Sequence, residues 1–282
     1  MSAKTQRVLI TGSASGLGRA MALRFASEGA RVAVADVNDE RAAETVDEIV
    51  AAGGKALVIH CDITSDTSVN ETVAAVKKAW RGLDVLVNNA GVAAAGTVTD
   101  TSMEDWSWMI DTNLLGAVRM CRGFLPMMQK QGSGYVINVA SAAGIVQSPG
   151  MASYNVAKAG MIALSETLRN EVRRFGIGVT VVCPSFFATN LMESYRGPKS
   201  GVREMADKLM QRSQLDADDV ADAVYRAMEK DELFVFAHNE ARLAYHFKRL
   251  MPGVFYWSTE RAAQKMFGDI VELEPTPRKR HG

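Results

Sequence analysis

The chain has 282 residues, 48% of them apolar, and its 32 basic and 32 acidic side chains leave no formal net charge. That length suits one large α/β domain with a sizeable core, and the balanced charge argues against a general nucleic-acid binder. The three cysteines (Cys61, Cys121, Cys183) show no C-x-x-C spacing and the four histidines do not cluster, which argues against a disulfide framework and a protein-ligated metal.

In chain order, RVLIT (7–11) is a short apolar strand running into a glycine-rich turn, and a helix follows to Glu28, with Gly29 as its stop. RVAVAD (31–36) is the second strand, then a helix over 39–52, a third strand KALVIHCD (55–62), another helix, and a fourth strand within LDVLVNNAG (83–91). One long helix is expected past Trp106 and Met120. GYVINVAS (134–141) is the fifth strand, a further helix carries Tyr154 and Lys158, GVTVVCPS (178–185) is the sixth strand and ELFVFA (232–237) the seventh. Near-continuous Val/Ile/Leu runs suit strands buried on both faces. The alternation of strand and helix predicts a Rossmann-type doubly wound parallel sheet of about seven strands, helices on both faces.

The expected organisation is one catalytic domain over 1–237, with 186–230 as a helix-rich insertion, and a helical extension over 238–282 ending in a fraying basic tail, EPTPRKRHG. MSAKTQRVLITG has no basic-then-apolar leader. The longest uncharged stretch, 131–157, is too rich in Gly, Ser, Asn, Gln and Pro for a membrane span. A soluble, cytoplasmic setting is expected.

TGSASGLG (11–18) stands at the first strand-to-helix turn. Glycines there let backbone approach a pyrophosphate, and the helix N-terminus offers free N–H groups and positive dipole. The bland alternative is an ordinary tight turn. Asp36 ends the second strand, where an acid accepts hydrogen bonds from adenosine ribose hydroxyls and repels a 2′-phosphate. No Arg or Lys adjoins it, so NAD is favoured over NADP, although Arg19 is near enough in sequence to reach a phosphate. In SYNVAKAG (153–160), Tyr154 and Lys158 are four apart, one above the other on a helix face.

These motifs, with Asp62 after strand three, NNAG (88–91), Asn113, Ser141, YNVAK (154–158), and Pro184 with Thr189 after strand six, resemble the short-chain dehydrogenase/reductase family in the family's order, over residues 6–237. The resemblance implies a nicotinamide-dependent oxidoreductase acting on an alcohol or carbonyl. Tyr154 would be the general acid/base. A free tyrosine has a pKa of about 10, and a nearby ammonium lowers it, a role for Lys158, which would also hold the nicotinamide ribose. Ser141 would polarise the substrate oxygen, and Asn113 would support a proton relay through a held water. Gly12, Ser15, Gly16, Leu17, Gly18, Asp36, Asp62, Ile63, Asn89, Ala90, Gly91, Pro184 and Thr189 would join Tyr154 and Lys158 around the cofactor. The family often has Pro-Gly after strand six; here it is Pro184-Ser185, which sets the loop differently. Family likeness also suggests a homodimer or homotetramer built partly on the helices of Asn113 and Tyr154.

Phe186, Phe187 and Met192, with Leu191, Tyr195, Met205, Leu209 and Met210, offer an apolar wall for a hydrophobic alcohol or ketone beside Ser141 and Tyr154. The blander reading puts most of them in the core. In ARLAYHFKRLMPGVFYW (241–257), Leu243, Phe247, Leu250 and Met251 fall near helical spacing, interleaved with Arg242, Lys248 and Arg249. Packing on the domain or on a second subunit is favoured over contact with a membrane. Two further readings compete with the enzyme: a catalytically silent NAD(H)-binding sensor and a membrane-associated scaffold.

Overall fold

The structure, a computed structural model, describes residues 5–185, 187, 193–197, 213 and 215–270, without the side chains of 266–270. Seven parallel strands form one sheet in the order β3-β2-β1-β4-β5-β6-β7. They are β1 (Arg7–Thr11), β2 (Arg31–Asp36), β3 (Lys55–His60), β4 (Val85–Asn88), β5 (Gly134–Val139), β6 (Ile177–Val182) and β7 (Phe234–Val235). Chain order reverses direction between β1 and β4, and this opens a crevice at their carboxyl ends.

The strands follow burial. β4 and β6 are buried at every residue, so both their faces demand apolar side chains. β3 lies at the sheet edge with an exposed first and last residue. The seventh strand is two residues, shorter than its apolar run predicts, because only Phe234 and Val235 pair with β6.

Helices cover both faces. On one, α1 (Gly16–Ser27) and α2 (Asp39–Ala51) pack with α8 (Ala217–Glu229). Phe25 of α1 is fully buried and meets Tyr225 of α8 edge-to-face, ring centres 5.4 Å apart; such a ring contributes about 1.5–3 kcal/mol by burial alone. On the other face lie α3 (Asp66–Trp80), α5 (Gly116–Gln131) and α7 (Ala152–Val172), with Phe124, Met120, Met128 and Leu168 in their core. Ser65 caps α3 by accepting from the Ser68 amide, and Asp216 with Asp219 closes a reciprocal box at the start of α8.

The long helix expected past Trp106 and Met120 runs without a break from Met103 to Gln131, as α4 (Met103–Ile110), a π-helical turn (Asp111–Leu115) that the sequence pattern did not signal, and α5. The short α6 (Ala143–Val146) follows β5, and α9 (Asn239–Leu250) and α10 (Pro252–Ile270) follow β7.

Candidate active site

The first turn is built by close backbone approach. Gly12 has φ 64°, and a Cβ there would stand 2.7 Å from Ala90 Cα. Gly18 lies beneath the turn, where a Cβ would come within 2.1 Å of the Gly12 carbonyl oxygen. Thr11 Oγ1 accepts from the amides of Asn89 and Ala90, each at 3.1 Å, and Asn89 Nδ2 donates to the carbonyls of Thr11 and Gly12 at 3.0 and 2.9 Å. Asn89 thus braces the turn from the β4 side. α1 opens from Ser15 with no side-chain cap and no acid in its first turn, so its N–H groups and dipole are left facing the crevice.

Asp36 is held at the end of β2. Its carboxylate accepts from the amides of Ala14 and Asn38, both at 3.0 Å, so it braces the glycine turn as well as facing the cavity. Arg19, a possible phosphate ligand from sequence, instead pairs with Glu48 of α2. Arg41, which sequence reasoning missed, reaches from α2 to Glu193 at 2.7 Å; five residues beyond Asp36, it gave no local signal. Asp62 Oδ1 accepts from the Thr64 amide and hydroxyl at 2.9 and 2.7 Å. Ile63 is buried and packs so tightly on Gly116 that a Cβ there would meet its Cδ1 at 2.5 Å.

At the other end, Ser141 follows β5 and its Oγ accepts from the Ala143 amide at 3.1 Å, which leaves its proton to donate. Tyr154 and Lys158 lie in the first two turns of α7, 7% and 5% exposed. The Lys158 ammonium donates to the Val139 carbonyl at 2.9 Å and stands 5.7 Å from the centre of the Tyr154 ring. Burial pulls Lys158 down to about 8. Burial is also the larger influence on Tyr154 and raises its pKa, with the Ser141 hydrogen bond acting the other way.

Asn113 is fully buried in the π turn. Its Oδ1 accepts from the Val92 amide at 2.9 Å and its Nδ2 donates to the Val92 carbonyl at 2.8 Å. A Cβ on Gly91 would lie 2.5 Å from Asn113 Oδ1 and 3.6 Å from Lys158 Nζ, so the asparagine and the lysine flank one glycine. These two bonds tie the Asn113 side chain to the backbone of Val92, with Met109 Sδ as a further partner of Nδ2.

One cavity of about 650 Å³ joins the two ends. Of the predicted residues, Gly12, Ser15, Gly16, Leu17, Asp36, Asp62, Ile63, Asn89, Ala90, Gly91, Ser141, Tyr154, Lys158, Pro184 and Phe187 line it. Gly18 and Asn113 stand behind that lining as supports. Phe186, Thr189 and Met192 lie outside the described residues, as do Leu191, Met205, Leu209 and Met210. Sequence reasoning missed the run Val92–Ala95, Thr112 and Val146; their small or apolar character resembles ordinary core. Glu193, Ser194 and Tyr195, the last expected from sequence, also line the cavity; Arg196 anchors them, its amide donating to the Ala93 carbonyl at 3.1 Å and its guanidinium sitting 3.9 Å over the Trp108 ring. A glycine cradle at one end, an acid at Asp36 and a tyrosine–lysine–serine group at the other fit a nicotinamide dinucleotide.

The profile of the short chain dehydrogenase family matches residues 6–200. A 3-oxoacyl-[acyl-carrier-protein] reductase of Synechocystis sp. is 36% identical over 196 residues, 69% of this chain and 79% of that protein. The 2,5-dichloro-2,5-cyclohexadiene-1,4-diol dehydrogenase LinX of Sphingobium indicum is 40% identical over 176 residues, 62% of this chain and 70% of that protein. A crystal structure of a short chain dehydrogenase/reductase from Burkholderia phymatum in complex with NAD superposes with a TM-score of 0.80 at 30% identity, covering 87% of this chain and 93% of that one.

Proposed function

The chain belongs to the short-chain dehydrogenase/reductase family of oxidoreductases, and from that premise we propose that it interconverts an apolar alcohol and its carbonyl by hydride transfer, with NAD preferred. The observation that carries this reading is the single cavity in which Tyr154, Ser141 and Lys158 share a wall with the glycine turn and Asp36.

The nicotinamide, when bound, accepts or supplies the hydride. The glycine turn and the start of α1 would hold its pyrophosphate, and Asp36 its adenosine ribose. Ser141 donates a hydrogen bond to the substrate oxygen, keeping its own proton, and stabilises charge gathering there. Tyr154 passes a proton between its phenol and that same oxygen: it takes one from the alcohol in oxidation and returns one to the carbonyl in reduction. Lys158, held on Val139, keeps a positive charge near the phenol at neutral pH and would hold the nicotinamide ribose. Asn113 fixes Val92 and, through it, the cavity wall.

NAD preference rests on Asp36 and on the ion pairs that occupy Arg19 and Arg41. The NAD complex of the Burkholderia relative supports it. An apolar substrate agrees with the Val92–Ala95 wall, Val146 and Phe187. Exposed Leu115 and Val156, on the helical stretch of Asn113 and on α7, support a homo-oligomer built on these helices.

The test is NAD-dependent oxidation of alcohols graded by size, followed by NADH absorbance, beside NAD binding and the Tyr154→Phe variant. Turnover should rise with apolar size and fall by about 10²–10⁴ in the variant while NAD still binds. Equal turnover in the variant refutes the tyrosine's role; tight NAD binding with no turnover on any substrate favours the sensor.

A further inference from the structure

Helices α9 and α10 form a hairpin with two unlike faces. The inner face is fixed to the fold. Tyr245 packs on Phe234 and Phe236 with ring centres 4.8 and 5.2 Å away, and Lys248 donates to the Ile145 carbonyl at 2.8 Å and to Gln147 Oε1 at 2.6 Å, at the end of α6. Phe255, buried, meets Phe247 edge-to-face at 5.9 Å and joins the two helices. Packing on the domain, the outcome favoured from sequence, therefore accounts for this half.

The outer face has no such role. Leu243 and Leu250 are 72% and 78% exposed, and Met251, Val254, Tyr256 and Trp257 are exposed with them. Met251 alone joins the two helices, with Leu250 and Val254 on either side of it and Tyr256 and Trp257 in the first turns of α10. Residues 239–265 carry five Lys and Arg against two Glu, in a chain whose total charge is zero. Arg242 and Arg261 are exposed, the latter with its guanidinium 4.1 Å over the Trp257 ring, whereas Arg249 bonds the Tyr245 hydroxyl and pairs with Glu166 of α7.

An aliphatic tip, amphipathic aromatics beside it and a basic surround match the boundary between lipid headgroups and acyl chains. A two-fold contact of this face with itself would set the arginines against their own copies. Among the described residues no helix is long and apolar enough to cross a membrane, so the element would lie on one. We propose that the α9–α10 hairpin docks on an anionic lipid surface, with Leu250, Met251, Val254 and Trp257 entering the headgroup boundary and Arg242 and Arg261 meeting lipid phosphates. Because Lys248 ties the hairpin to α6, and Val146 of α6 lines the cavity, docking holds the cavity beside the lipid.

The full chain is sedimented with vesicles of equal parts phosphatidylcholine and phosphatidylglycerol, and with phosphatidylcholine alone. Binding is expected to the anionic vesicles, to weaken with salt, and to be lost in Leu250→Glu/Val254→Glu with an unchanged melting temperature. Arg242→Gln/Arg261→Gln should weaken it roughly 30-fold, at about 1 kcal/mol per basic residue. A vesicle-induced blue shift of tryptophan fluorescence should vanish in Trp257→Phe. No binding by the full chain, or undiminished binding by the tip variant, overturns the proposal. A fall in molar mass of the tip variant by light scattering, with vesicle binding intact, overturns it too and assigns the face to a second copy of the chain.

Discussion

Replacing Lys158 by methionine should cost activity and add stability. The ammonium is buried, and its pKa falls from 10.5 to about 8. At about 1.4 kcal/mol for each tenfold change in proton affinity, the folded protein forgoes about 3 kcal/mol at neutral pH by holding this charge. Methionine has nearly the same shape and no charge to desolvate. It also abandons the hydrogen bond to the Val139 carbonyl, whose loss costs about 1–2 kcal/mol. The expected net is a gain of about 1–2 kcal/mol at pH 7. Between pH 8 and 10.5 the unfolded chain keeps a proton that folded Lys158 has released, so wild-type stability rises with pH there relative to the variant. Urea unfolding of both proteins from pH 7 to 10.5 measures this, and comparing them cancels every other titrating group. The gap should close and then reverse as pH rises. A variant less stable at pH 7, or a gap that does not change with pH, would refute the account of Lys158 as a strained, buried charge.

Alcohol oxidation needs the Tyr154 phenolate, and burial raises that group's pKa, so kcat/KM for oxidation should climb with pH into the alkaline range while that for reduction declines; parallel profiles in both directions would contradict this. Asp36→Ala removes the acceptor of the Ala14 and Asn38 amides and the acid facing the ribose, so the preference for NAD over NADP should shrink at least about tenfold by titration calorimetry. Gly18→Ala forces a Cβ against the Gly12 carbonyl, and NAD affinity should drop roughly 10–100-fold even where the fold survives. Asn113→Ala leaves both Val92 backbone groups without their partners and should destabilise the protein by about 2–4 kcal/mol in denaturant unfolding.

The sheet was readable because its strands are short, apolar and set off by glycine-rich or polar turns; β1 and β2 match their apolar runs residue for residue. The cofactor end was readable for a related reason, since Gly12 and Asp36 act through local backbone geometry that a short motif can encode. What escaped notice depends on long-range contact. Arg41 meets Glu193 across 152 positions, and Lys248 meets Ile145 across 103, with nothing in either neighbourhood to signal it. The exposure of the hairpin's outer stripe was equally hidden: Leu243 and Tyr245 look alike in a helical pattern, and only packing on Phe234 and Phe236 separates them. Asn113 was found by motif, yet its bonds to Val92 belong to a helix defect that periodicity treats as ordinary helix.

That defect stores one residue of slack. A regular α-helix turns about 100° per residue, and a π turn takes up about one residue more than an α turn. Met109 and Met120, about three turns apart, would face nearly the same way on an unbroken rod, so burying Met109 beside Tyr154 and Met120, Phe124 and Met128 beneath the sheet does not need the extra residue. What the slack serves is Asn113, fully buried and bonded to both backbone groups of Val92. Deleting a single residue between Asp111 and Leu115 would let an ordinary α turn span the same gap and leave α5 in place. The damage would fall on the Val92 wall of the cavity, and the hydrophobic core would be spared.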